Sequence, residues 1–124
     1  MSYYELYTEF KNLFIEKTDV LDKLEKDANA EESDGMHIMF SFVVIPFVIE
    51  LLKQDDSKDL NKAFAFFEKM AASELSEITE VLEFTVIENL ISNGSSLYTR
   101  SKKYMGKNTL ECCRRIEQYL KVEE

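Results

Sequence analysis

Apolar residues recur along the chain at spacings of three and four, and this pattern predicts helices throughout. Tyr3, Leu6, Tyr7, Phe10, Leu13 and Phe14 predict a first helix over 3–17. Val20, Leu21 and Leu24 predict a short second one, after which the chain turns acidic at Glu31, Glu32 and Asp34 ahead of Gly35. That stretch reads as an exposed loop and as the most mobile segment. The apolar run "MHIMFSFVVIPFVIELL" at 36–52 predicts a core helix from about Phe40 to Gln54. Pro46 has two readings there: it opens the helix after an extended "MFSFVVI", or it kinks it.

The second half repeats the pattern with clearer punctuation. "QDDSKD" at 54–59 reads as a turn whose Asp and Ser residues cap the next helix. Leu60, Phe64, Phe67 and Ala71 form the core stripe of a helix over 58–72. Ser73 is placed to cap a helix over 74–92, and Asn93–Gly94 to end it. Helices over 96–105 and 109–121 follow. The last opens with "NTLE", which places Asn108 and Glu111 as a capping box. The connections are short, so neighbouring helices run antiparallel. The expected fold is all-α, a single domain over 1–124. It is a compact bundle or short stack of five to seven helices with antiparallel helical hairpins. Three Gly and one Pro in 124 residues leave little turn chemistry for strands.

A phrase recurs within these helices. "VIELL" (48–52), "FFEKM" (66–70) and "VIENL" (86–90) each set a glutamate behind an apolar pair, and "FIEKT" (14–18) shares the first half. An offset of twenty aligns "AFAFFEKMAAS" with "EFTVIENLISN", matching Phe64 to Phe84 and Glu68 to Glu88. The spacing of Glu16, Glu50, Glu68 and Glu88 is too irregular for a solenoid. A glutamate in the last turns of a helix opposes the macrodipole, at a cost of about 0.3–1 kcal/mol. Compensating partners are therefore expected, and the basic residues of the tail are the candidates. Glu77, Glu80, Phe84 and Glu88 also fall at i, i+3, i+7 and i+11 on one face. An exposed Phe84 would sit in an acidic ridge able to anchor a basic partner. The match to Phe64, on its own helix's core stripe, argues instead that Phe84 is buried.

Charge is uneven along the chain. Net charge is −9, and residues 1–97 hold eight Lys and Arg against twenty Asp and Glu. Residues 98–124 reverse the balance, with seven against four. The acidic body repels nucleic acid and anionic membrane and attracts basic partners. The tail's helix–"GKN"–helix shape could pass for a DNA-binding motif, but Glu111, Glu117 and the acidic body oppose it. "GKNT" could hold an anion at a helix N-terminus, with local capping the simpler role. Neutralisation of the acidic helices by the tail is the expected use of its charge.

Chemical motifs are sparse. His37 has no ligand partner at metal spacing and reads as structural or partly buried. Phosphate loops, nucleophile elbows and zinc motifs are missing. Cys112 and Cys113 are adjacent, so their side chains diverge on a helix and are expected to be reduced thiols. The run at 36–52 is short for a membrane span and carries Glu50 near one end, so a buried helix is expected. The start "MSYYELYTEF" lacks a signal peptide's basic and apolar regions. Together these lead to a non-enzymatic cytoplasmic binding protein without cofactor, metal, nucleic acid or membrane. Its expected partner-binding acids are Glu31, Glu32, Asp34, Asp55, Asp56, Asp59, Glu77 and Glu80.

The order "FFEKM", "VIENL", then "YMGKNTLECCRRIEQYL" resembles small bacterial helical proteins over residues 58–121. Residues 1–57 carry no family motif. Small, acidic, catalytically empty helical proteins of this kind are similar to immunity proteins of toxin and contact-dependent growth inhibition systems. That resemblance implies binding to one cognate toxin protein domain, often a basic nuclease, and occlusion of its active site or substrate surface. The alternative is a helical adaptor that binds a peptide or forms a homodimer. Segment 36–52 would then present an exposed groove or dimer face.

Overall fold

The computed structural model describes residues 1–120, and these form seven α-helices without strands. They are α1 (Leu6–Asn12), α2 (Thr18–Ala28), α3 (Met36–Gln54), α4 (Ser57–Ala71), α5 (76–92), α6 (Ser95–Lys102) and α7 (Lys107–Leu120). The all-α expectation holds. The predicted first helix is divided: 3-10 turns at Tyr3–Glu5 and Ile15–Lys17 flank α1. Leu13, expected in its core stripe, is exposed, whereas Leu6, Tyr7, Phe10 and Phe14 are buried.

Helix α3 supplies the centre of the core. Phe40, Val43, Val44, Phe47, Val48, Leu51 and Leu52 are all buried. Each such side chain contributes about 1.5–3 kcal/mol when taken out of water. Phe10 of α1 lies against this helix and α4, with ring centroids 6.2 Å from Phe40, 6.2 Å from Phe47, 5.6 Å from Phe66 and 6.0 Å from Phe67. Edge-to-face and offset pairs of this kind add about 0.5–1.5 kcal/mol beyond burial. The helix is long and apolar enough to cross a membrane, but it is largely covered by its neighbours.

Pro46 neither follows an extended segment nor starts α3. It sits inside one continuous helix, directly behind a π turn at Phe40–Val44. Proline has no N–H to donate, and its ring crowds the carbonyl one turn back. The ladder loosens ahead of it: the Ile45 N–H donates to the Phe40 carbonyl, five residues back. A second π turn, Leu82–Ile87, interrupts α5 and packs on the first. In the turn before the first, His37 Nδ1 lies 2.6 Å from Thr85 Oγ1 of the second. Thr85 is buried but the His37 side chain is exposed, so the histidine lies at the edge of the core.

Helix ends correct several boundary expectations. Asn29 and Asp55 close α2 and α3 in the left-handed region, at φ 52° and 56°. Short polar side chains tolerate that conformation. Ser73 does not cap α5; its Oγ accepts the Leu75 N–H at 3.1 Å, and the helix begins at Ser76. Of the pair Asn93–Gly94, only Gly94 takes positive φ. Asn108 lies inside α7, and Glu111 pairs with Arg114, so the predicted capping box does not form.

Candidate protein-binding surface

Glu68 lies in the last turn of α4 and points at the start of α7. Its carboxylate accepts the Asn108 N–H at 3.0 Å, Asn108 Nδ2 at 2.9 Å, the Thr109 N–H at 2.9 Å and Thr109 Oγ1 at 2.7 Å. The first backbone N–H groups of a helix lack partners within it, and the helix dipole favours negative charge there. The anion held by "GKNT" is thus the chain's own glutamate. Gly106 makes room for it: a Cβ at that position would stand 2.5 Å from Glu68 Cδ. Burial pushes the carboxyl up, but the bonds from Thr109 and Asn108 outweigh it and hold the group below its usual range. The partner expected was a tail cation; the partner found is a helix N-terminus.

The tail's basic residues do little of the neutralising expected of them. Arg115 reaches Glu83 on α5 at 3.2 Å. Arg100 donates to the Leu52 carbonyl near the end of α3, where a cation complements the helix dipole. Lys102 and Arg114 pair within the tail, with Glu117 and Glu111. Cys112 and Cys113 are free and buried. Burial, then the Glu83 charge, pushes the Cys112 thiol up to about 11, which suppresses its reactivity.

Most of the predicted binding acids are engaged locally. Glu31 and Asp34 form a capping box around a 3-10 turn at Glu32–Asp34, so the expected loop is a hydrogen-bonded turn. Glu32 accepts Thr8 Oγ1 at 2.7 Å. Asp55 is the exposed left-handed residue that ends α3. Asp56 accepts the Asp59 N–H as the cap of α4, and Lys17 lies 3.0 Å from Asp56 and 2.5 Å from Asp59. The Lys17 ammonium holds the Asp56 carboxyl below its usual range. Asp59 is only 8% exposed, so it is part of the scaffold rather than a free contact.

Glu77 and Glu80 differ. Both are exposed, and neither has a hydrogen bond or ion pair among the described residues. Further along α5, Phe84 is 45% exposed, which corrects the expectation of burial drawn from Phe64. The ring of Tyr119, itself exposed, meets Phe84 edge to face at 5.7 Å. Glu88 is half-buried and has no ion pair among the described residues. Tyr3 borders the near end of this ridge. Burial, then the charges of Glu77, Tyr4 and Glu80, raises its phenol above the usual range. Tyr4 stacks edge to face on Tyr3 at 5.2 Å and is 80% exposed. The surface therefore combines carboxylates unpaired among the described residues with the exposed rings of Phe84 and Tyr119, and Tyr4 lies beyond Tyr3 at its near end. Tyr119 escaped the sequence reading because it reaches the ridge from another element, α7.

Residues 7–121 match a family described as a domain of unknown function (DUF7674). The chain belongs to that family. No curated protein and no solved structure matches it. Among the described residues, no group of three His, Cys, Asp or Glu side chains is arranged to hold a metal ion.

Proposed function

We propose that the chain is a non-enzymatic binding protein that takes a basic protein partner on the α5 ridge. The observation that carries this reading is the exposed Phe84–Tyr119 pair, flanked along α5 by Glu80 and Glu88, which have no cationic partner among the described residues. Aromatic side chains half-covered in the free protein become anchors once a partner excludes water from them. Carboxylates not already engaged within the chain are available to steer a positive surface and to select it. By its resemblance to immunity proteins, the partner is a cognate bacterial toxin domain met in the cytoplasm, and the mechanism is occlusion.

The test begins with a toxin-domain gene adjacent to this one and co-purification of the two products. Glu77→Lys, Glu80→Lys and Glu88→Lys are then combined, with the fold checked by circular dichroism. The complex is expected to be lost. A triple variant that still co-purifies at wild-type yield contradicts the reading. Reversal of Glu31, Glu32 and Asp34 is a poorer probe, because it breaks the capping box as well as the charge.

A further inference from the structure

A second surface lies on α3, away from the ridge. Ile38, Phe42, Pro46 and Glu50 recur at four-residue intervals along this helix, three of them exposed and Pro46 half-buried, and the wider π turn at Phe40–Val44 reduces the drift that such a row has on a regular α-helix. Ile38 is 38% and Phe42 54% exposed, in a helix that otherwise forms the core. Twelve residues of helix rise about 18 Å, so the row is about that long. Toward Glu50 it opens into a groove of about 400 Å³ between α2 and α3, with Val20, Leu24, Pro46, Phe47 and Leu51 as its apolar lining. Phe47 and Leu51 are buried and form its floor, whereas Val20 is 48% exposed on its wall.

The charges at the rim are unequal. Lys17 borders the groove, but Asp56 and Asp59 bind its ammonium and consume its charge. Glu50 borders it too, and its one polar partner among the described residues is Gln54 Nε2 at 3.2 Å. The groove thus offers an apolar floor with one uncompensated negative charge at the rim, in a chain of net charge −9. Among the described residues that line the groove, Lys17 is the one cation and it is already paired, so an anionic amphiphile is not favoured there. A helix of about three turns matches the length of the row, and helix-in-groove recognition uses apolar anchors at this spacing.

We propose that this groove docks one basic amphipathic helix of a partner protein, with apolar side chains on the row and in the groove and a Lys or Arg on Glu50. The site uses α2 and α3 rather than α5 and α7, so it stands or falls separately from the ridge.

The probe is a fluorescein-labelled helical peptide of about four turns with Leu at heptad a and d positions and Lys elsewhere. Two controls accompany it: the same peptide with Glu for Lys, and a scrambled peptide of the same Leu and Lys composition. Anisotropy titrations use the whole chain. The Leu/Lys peptide is expected to bind at least about tenfold more tightly than either control. Val20→Glu and Phe42→Ser each alter an exposed side chain outside the packed core, and each is expected to weaken it about tenfold. Glu50→Lys is expected to weaken the Leu/Lys peptide and to strengthen the Leu/Glu one. Equal binding of the scrambled peptide overturns the proposal, because charge alone then suffices. So does wild-type binding by Val20→Glu and Phe42→Ser, or loss of binding on Glu77→Lys and Glu80→Lys instead. A homodimer in sedimentation that Val20→Glu dissociates also overturns it, since the occupant is then a second copy.

Discussion

Glu68 and Glu88 stand at matching places in two phrases twenty residues apart, "FFEKM" and "VIENL". Both lie in the closing turns of a helix, where a carboxylate opposes the local dipole. Around Glu68 four donors converge from the first turn of α7, so the positive end of one helix offsets the negative end of another. Around Glu88 no cation closes among the described residues, and its neighbour on the ridge is a half-exposed Phe84. The same local wording therefore gives a structural clamp in one place and an open surface in the other. What separates them is the element that crosses each glutamate, and that is a property of the tertiary fold.

The largest expected difference between the two is in stability. Glu68→Ala removes the cap of α7 and leaves its first N–H groups without acceptors, at a cost of about 2 kcal/mol in urea unfolding. Glu88→Ala breaks no ion pair among the described residues and is expected to stay within about 0.5 kcal/mol of wild type. A loss at Glu88 as large as that at Glu68 would erase the distinction. Glu68→Gln retains one acceptor oxygen and should fall between wild type and Glu68→Ala.

A smaller effect is expected at Gly106. Alanine there must displace the Glu68 carboxylate, since its Cβ would stand 2.5 Å from Cδ. The displacement forfeits part of the cap, at about 1 kcal/mol.

Acid sharpens the comparison further. The Glu68 carboxyl is held below its ordinary value of 4.5, so the folded state prefers it charged. Its contribution is fully present above that ordinary value and is lost as pH falls below it, through the depressed folded value. The stability gap between wild type and Glu68→Gln should narrow over that window in urea titrations from pH 6 downward. A gap independent of pH would mean that the charge of Glu68 is not what α7 recognises.

The smallest stability effect belongs to the ridge. Phe84→Ser removes a ring already 45% in solvent, so its unfolding midpoint should change little. Its consequence is expected in partner retention instead. A severe loss of stability would place Phe84 in the core after all.

The helices themselves were legible because burial imposes a period on the sequence, and Leu60, Phe64 and Phe67 show it plainly. Boundaries and partners were less so. Asn108 carries the right chemistry for a cap, but a glutamate forty residues away takes its place at the helix end. Pro46 demanded an irregularity, but a π turn packed on the π turn of α5 is a tertiary arrangement that the local sequence does not spell out. Asp56 and Asp59 were readable as turn and cap residues, and their pairing with Lys17 follows from where the end of α1 leads. Phe84 was misread because its counterpart Phe64 is buried, while α5 meets α7 near Phe84 through Arg115 and Tyr119, which leave the ring half-covered.

The most direct test of the clamp is a double-mutant cycle over Glu68→Ala and Gly106→Ala, followed by urea unfolding. If Gly106 is glycine because Glu68 occupies the space, the second substitution should cost about 1 kcal/mol in wild type and nothing in the Glu68→Ala background. The coupling energy is then about 1 kcal/mol. Additive costs would contradict the account, because Gly106 would then serve the backbone alone and the α4–α7 clamp would not be what fixes the tail.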